Sequence, residues 1–228
     1  MYRLHIANKN YSSWSLRPWV LMTELGIPFE ERLLRFGDTG AWADFRQRIS
    51  RAGKVPCLDD GNVVVWDSLS IAEYLAEHYP DVWPRQSAAR AWARSAAAEM
   101  HSGFTELRNC CSMTCGLRIR LREFPQSLER DIADLSALWN DGLRRFGGPF
   151  LAGSAFTAAD AFFAPVAFRV QTYMLPLDPA AMAYVTHLLQ LRSMQSWYAE
   201  ALAETFRDGP HEQETARIGK VLADFRAQ

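Results

Sequence analysis

Asn8-Lys9-Asn10-Tyr11-Ser12-Ser13-Trp14-Ser15-Leu16-Arg17-Pro18-Trp19 is the stretch from which the fold can be read. A short apolar run, Leu4 to Ala7, precedes it and reads as a strand. Trp19 to Leu25 follows and reads as a helix, stopped by Gly26 and Pro28. Three serines are therefore crowded where a strand becomes a helix. Unpaired backbone N–H groups and the positive end of the helix dipole meet at such a junction. A hydroxyl there either caps the helix or helps to hold an anion.

The surrounding chain supplies the context. Tyr2 to Ala7 reads as a first strand and Ser15 to Leu25 as a first helix, with Pro18 in its first turn, where a missing N–H breaks no helical bond. Phe29 to Leu34 alternates weakly and reads as a second strand. Phe36 to Ile49 is a looser helical stretch with Trp42 and Phe45. Gly53 to Trp66 then reads as a hairpin: Cys57 to Asp59, a turn at Asp60-Gly61, and Val63 to Trp66. A third helix runs from Asp67-Ser68 to His78. The order is β-α-β-α-β-β-α.

Asp81 to Ser87 reads as a linker, and beyond it helical periodicity dominates. One Ala-rich helix is expected over Ala88 to Cys111, and another over Gln126 to Phe146, broken by Gly147-Gly148-Pro149. Thr157-Ala158-Ala159-Asp160 is a capping-box signal, with Thr157 as cap and Asp160 reaching back to free N–H groups. A buried helix follows to Tyr173. Two more are expected at about 179–191 and 193–204, and a polar tail from Asp208 carries a short helix at about 212–226.

Composition narrows the function classes. The 228 residues suit one large domain or two small ones, and 49% apolar residues suffice for a sizeable core. A net charge of −1 gives no global field toward nucleic acid or a membrane surface. No apolar run approaches the roughly 20 residues of a membrane helix. The four cysteines, Cys57, Cys110, Cys111 and Cys115, and five scattered histidines lack zinc-site spacing, so no metal is expected. Free thiols and an N-terminus without signal-peptide layout point to the cytoplasm.

In this order, four motifs resemble the glutathione S-transferase family: Tyr11-Ser12-Ser13-Trp14-Ser15-Leu16-Arg17, Lys54-Val55-Pro56, Trp66-Asp67-Ser68-Leu69-Ser70-Ile71-Ala72-Glu73-Tyr74-Leu75, and Phe156-Thr157-Ala158-Ala159-Asp160. The first is similar to the serine-rich start of helix 1 in zeta-type and related bacterial members. The resemblance implies an α/β plus all-α architecture. A thioredoxin-like domain (βαβαββα) would span 1–80, a linker 81–87 and an all-helical domain 88–228, the chain forming a homodimer.

It also implies a site for glutathione as co-substrate. A cis bond at Val55-Pro56 would turn the Val55 N–H and C=O toward the peptide's cysteinyl backbone, as in strand addition. Ser68 at a helix start suits the γ-glutamyl carboxylate, Asp67 the γ-glutamyl ammonium, and Lys54 the glycyl carboxylate. Ser12 is the first choice for the sulfur and Ser13 the second, with Ser15 as N-cap. A thiol of pKa ~8.5 needs such help to ionise at neutral pH.

The second substrate is expected between the domains, against Trp14, Met100, His101, Phe104 and Arg108. These groups suit an apolar electrophile, and an acidic group on it is compatible with Arg17 and Arg108. The sequence departs from the zeta pattern at Trp14, where those members carry cysteine, so no enzyme thiol is placed there. Conjugation of an electrophile, glutathione-dependent isomerisation, peroxidase or reductase work, and non-catalytic binding all stay open at this level.

Overall fold

The computed structural model describes residues 1–227; Gln228, the last residue of the expected helical domain, lies outside the described residues. The N-terminal sheet is built on β1 (Tyr2–Ile6), whose Leu4 and Ile6 are fully buried. It pairs parallel with β2 (Phe29–Leu33) and antiparallel with β3 (Cys57–Asp59), which pairs antiparallel with β4 (Val64–Val65), giving the order β2-β1-β3-β4. The parallel β1–β2 pair needs a crossover, and α1 (Ser13–Glu24) supplies it. α2 (Thr39–Arg48) starts at Asp38, whose carboxylate accepts the Ala41 N–H. α3 (Ser68–Ala76) starts at Asp67, whose carboxylate accepts the Leu69 N–H.

The remainder is helical apart from one small sheet. α4 (Ser87–Ser102) and α5 (Thr105–Cys110) replace the single helix expected over 88–111. The break falls at Gly103-Phe104, where Gly103 is extended and Phe104 is left-handed at φ 50. Gly103 fits because a Cβ there would lie 2.8 Å from the Glu99 carbonyl oxygen. Arg108 then reaches back and donates to the carbonyls of Met100 and His101 in the last turn of α4, at 3.4 and 3.0 Å.

β5 (Leu117–Leu121) follows, then α6 (Gln126–Phe146), α7 (Ala158–Tyr173), α8 (Pro179–Gln190), α9 (Arg192–Ala203) and α10 (Gly209–Ile218). The chain ends in β6 (Gly219–Asp224), antiparallel to β5. The polar tail is therefore a helix and a strand, not one helix over 212–226.

α7 is the axis of the core. Only Gln171 along it escapes full burial, and it packs against α1, α4, α8 and β5. Its start is the capping box expected from Thr157 and Asp160. The Asp160 carboxylate accepts the Thr157 N–H at 3.0 Å, the Leu151 N–H at 2.9 Å and the Tyr184 hydroxyl at 3.0 Å. Among the described residues no helix is long and apolar enough to cross a membrane.

Candidate active site

The segment Asn8 to Ser12 is buried, and residues far along the chain hold it. Glu204 at the end of α9 accepts the backbone N–H groups of Lys9 and Asn10, at 2.8 and 3.2 Å. Trp197 donates its indole N–H to the Lys9 carbonyl at 2.9 Å, and the Lys9 ammonium sits 4.7 Å from the Trp19 ring centroid. Asn10 accepts the N–H groups of Cys115, through its carbonyl, and Gly116, through its side chain. Backbone groups that no strand or helix satisfies are thus paired across the molecule. This fixes where α1 begins.

α1 begins at Ser13, with Ser12 as N-cap. Ser15 does not cap it: its hydroxyl is fully buried, accepts the Ala7 N–H at 3.1 Å and accepts the Ser12 hydroxyl at 2.7 Å. The serine expected to cap instead ties the first turn to β1. Starting the helix at Ser13 makes Pro18 its sixth residue, past the first turn, so the Trp14 carbonyl lacks its i+4 donor.

Ser12 and Ser13 open into a cleft of about 920 Å³. Lys54, Val55, Pro56 and Asp67 line it too, and the Val55-Pro56 bond is cis. These residues come from separate loops: the start of α1, the approach to β3 and the start of α3. Ser68 is placed behind Asp67, buried, with no partner for its hydroxyl.

Of the residues expected at the second substrate, Trp14, His101 and Arg108 line the cleft. Met100 and Phe104 do not line it; they are buried in the core. The kink at Gly103-Phe104 explains this, because it turns the Phe104 ring inward and ends the helical stripe that would have carried it to the cleft. Trp14 is a wall, with the His101 ring edge-on at 5.3 Å and the Arg108 guanidinium 5.7 Å from its ring centroid. His101 Nε2 also lies 3.2 Å from the Asp67 carboxylate, joining the two halves of the cleft.

Several cleft residues were not foreseen. Arg169 from α7 is buried, donates to the Cys111 carbonyl at 2.7 Å and points a second nitrogen at the Ser13 hydroxyl, 3.4 Å away. A signal existed: it is the one charged residue between Ala161 and Tyr173, and an unpaired charge in a buried apolar helix has a use. Tyr11, His211 and Glu214 also line the cleft. The Tyr11 ring stacks on His211, and its hydroxyl donates to Glu212 at 2.7 Å. Burial first, and then Glu212, push the Tyr11 phenol up to about 12. It stays protonated, with its hydroxyl committed to Glu212.

Burial, and next the Arg169 and Arg108 charges, hold Arg17 down to about 9. Burial also lowers Arg169 to about 10 and Arg108 below its ordinary value. Three guanidiniums thus surround Trp14 and Ser13. Among the described residues no cysteine lines the cleft, and no group of three or more His, Cys, Asp or Glu is placed to hold a metal.

Residues 11–78 match the description Glutathione S-transferase, N-terminal domain, and residues 90–188 match Glutathione S-transferase, C-terminal domain. The chain is 29% identical to mouse glutathione S-transferase theta-3 over 62% of each sequence. It is 26% identical to the glutathione S-transferase-like protein OpS6 of Beauveria bassiana, covering 78% of this chain and 83% of that protein. It is 25% identical to a probable maleylacetoacetate isomerase of Caenorhabditis elegans, over 74% and 79%. Among solved structures, a glutathione transferase homologue from Burkholderia with bound glutathione superposes with a TM-score of 0.65 at 23% identity, covering 88% of this chain and 97% of that one. Omega 1C from Trametes versicolor superposes with 0.68 at 17%, covering 100% and 98%. With both domain descriptions matched in order, on a thioredoxin-like domain followed by a helical one, the chain belongs to the glutathione S-transferase family.

Proposed function

We propose that the protein is a serine-type glutathione transferase that binds glutathione in the cleft between residues 1–80 and 88–228 and activates its thiol. The carrying observation is that one cleft joins the α1 N-terminus with Ser12 and Ser13, the Val55-Pro56 loop, and Asp67 at the start of α3. A peptide laid along Val55 pairs its backbone there. Its γ-glutamyl ammonium meets Asp67, its γ-glutamyl carboxylate meets the N–H groups at the start of α3, and Lys54 meets the glycyl carboxylate. Ser68 serves through its backbone N–H, since its hydroxyl is turned inward.

The sulfur then lies at the start of α1. The helix end, a hydroxyl bond and the nearby Arg169 all favour the thiolate over the thiol. The proton leaves to solvent. The sulfur lone pair forms a C–S bond to an electrophilic carbon, and the displaced electrons leave with a departing group or take up a proton. The Arg169 contact favours Ser13 over Ser12 as the donor: Ser13 accepts from Arg169 and keeps its own proton for the sulfur. Reversible addition of the same thiolate would isomerise a double bond, so isomerisation needs no further residue. Reduction through an enzyme thiol finds no support, because no described cysteine lines the cleft. We extend the reading to a homodimer and to the cytoplasm on the family and the free thiols alone.

Calorimetric titration with glutathione, paired with an ultraviolet thiolate titration of the complex, tests this. Binding at micromolar to millimolar glutathione with a bound thiol pKa well below ~8.5 is expected. No heat at millimolar glutathione rejects the reading. Binding with an unshifted thiol leaves a binding protein without catalysis.

A further inference from the structure

The three guanidiniums around Trp14 and Ser13 lack counter-ions among the described residues. Arg17 lies 4.1 Å from the Trp14 ring centroid and 5.0 Å from that of Phe162, Arg108 lies 5.7 Å from Trp14, and Arg169 reaches Ser13. None has a carboxylate within 4 Å among the described residues. Nitrogens on two of them are buried without any partner: Nε and Nη1 of Arg17 and Nη1 of Arg169.

The carboxylates nearby do not fill the gap. Asp67 is engaged by His101 and the Leu69 N–H. Asp131 accepts the Leu107 N–H at 2.9 Å. Glu214 lines the cleft but pairs with none of the three. Buried charge is ordinarily paired, because desolvation without compensation is expensive. The carbonyls that Arg108 and Arg169 contact satisfy hydrogen bonds but carry no net charge.

One glutathione thiolate at Ser13 supplies a single negative charge. Against three fixed positive charges that leaves two in excess, and Arg108 and Arg169 both line the same cleft as Trp14. We infer that the electrophile carries a carboxylate, which Arg108 and Arg169 bind while its apolar body lies against Trp14. Planar guanidiniums suit that geometry through paired N–H donors. This inference rests on the glutathione reading above and names the substrate class of that site.

Calorimetry on the intact protein tests it with glutathione and two S-conjugates, S-(4-carboxybenzyl)glutathione and S-(4-methylbenzyl)glutathione. The carboxybenzyl conjugate is expected to bind at least ~10-fold tighter than the methylbenzyl conjugate. In Arg108→Gln or Arg169→Gln the ratio of the two constants should fall to within about twofold, and Arg108→Lys should keep part of it. Equal affinities, or tighter binding of the methylbenzyl conjugate, by a wild-type protein that binds glutathione would overturn the carboxylate site and leave the glutathione reading intact. Persistence of the full ratio in both Gln variants would also overturn the assignment to these arginines. Absence of heat with glutathione and with both conjugates would bring down the glutathione reading and this inference together. The wild-type comparison decides the matter even where a variant fails to fold.

Discussion

The Ser12 hydroxyl donates to the Ser15 hydroxyl at 2.7 Å, and Ser15 accepts in turn from the Ala7 N–H at 3.1 Å. The Ser12 proton is therefore directed inward, to a group that holds α1 against β1. Ser13, one residue on, accepts from Arg169 and has its own proton free. Ser13→Ala should raise the pKa of bound glutathione by about one unit, or ~1.4 kcal/mol of thiolate stabilisation. Ser12→Ala should raise it by less than half of that. Ultraviolet thiolate titration of the two complexes separates them, and the reverse order would return the role to Ser12.

The cysteines are expected to be poor nucleophiles. Burial pushes the Cys57 thiol up to about 11 and Cys111 up to about 12, and raises Cys110 and Cys115 as well. At pH 7.5 only about one thiol in a thousand or fewer is ionised when its pKa is 11 or above. Iodoacetamide should therefore modify the half-buried Cys110 first, and the other three should react only on unfolding. Mass spectrometry of time points reads the order. Rapid labelling of Cys57 in the native state would contradict it and reopen an enzyme-thiol mechanism.

Much of this architecture is legible in the sequence because local and long-range signals agree. The strand Tyr2 to Ile6, the turn at Asp60-Gly61, the α6 bounds at Gln126 and Phe146 and the Thr157–Asp160 capping box each follow from patterns that tertiary packing leaves unchanged. The misses have separate causes. Leu117-Arg118-Ile119-Arg120-Leu121 alternates with period two, and Leu117 and Ile119 are buried, so β5 was readable but overshadowed by helices on both sides. Its partner β6 has no such clarity. The kink at Gly103-Phe104 depends on Arg108 satisfying the α4 carbonyls, which periodicity does not reveal. Within the site, Ser13, Asp67 and Val55 sit in readable loop motifs, whereas Arg169 reaches Ser13 across 156 residues.

The capping box carries a measurable share of stability. Asp160 is fully buried and accepts from two backbone N–H groups and the Tyr184 and Thr157 hydroxyls. Removing the carboxylate leaves those buried donors without an acceptor. Asp160→Ala should cost about 3 kcal/mol in urea unfolding. Asp160→Asn, which keeps one oxygen, should cost clearly less. A loss below about 1 kcal/mol for Asp160→Ala would mean that water or a shifted loop takes over these donors.

The tail ties acid sensitivity to the cleft. Arg226 pairs with Glu212 at 2.6 Å and with Asp224 at 2.8 Å, and Glu212 accepts the Tyr11 hydroxyl. Burial alone would raise Glu212, but Arg226 and Tyr11 override it and hold it below its ordinary value. The Arg226 hydrogen bond does the same for Asp224. Carboxylates depressed in the folded state contribute stability that is complete above their ordinary values of about 4, and that is lost as pH falls through the lower folded values. The attachment of α10 and β6 should thus hold at pH 5 and fail below about pH 4. Because His211 and Glu214 on α10 line the cleft, glutathione affinity should weaken over the same interval. Limited proteolysis at Arg217 and Lys220 with an acid-tolerant protease, run beside glutathione binding, checks both. Glu212→Gln should move the onset of cleavage to higher pH, because it removes one of the two charges that hold Arg226 while leaving a side chain of the same size.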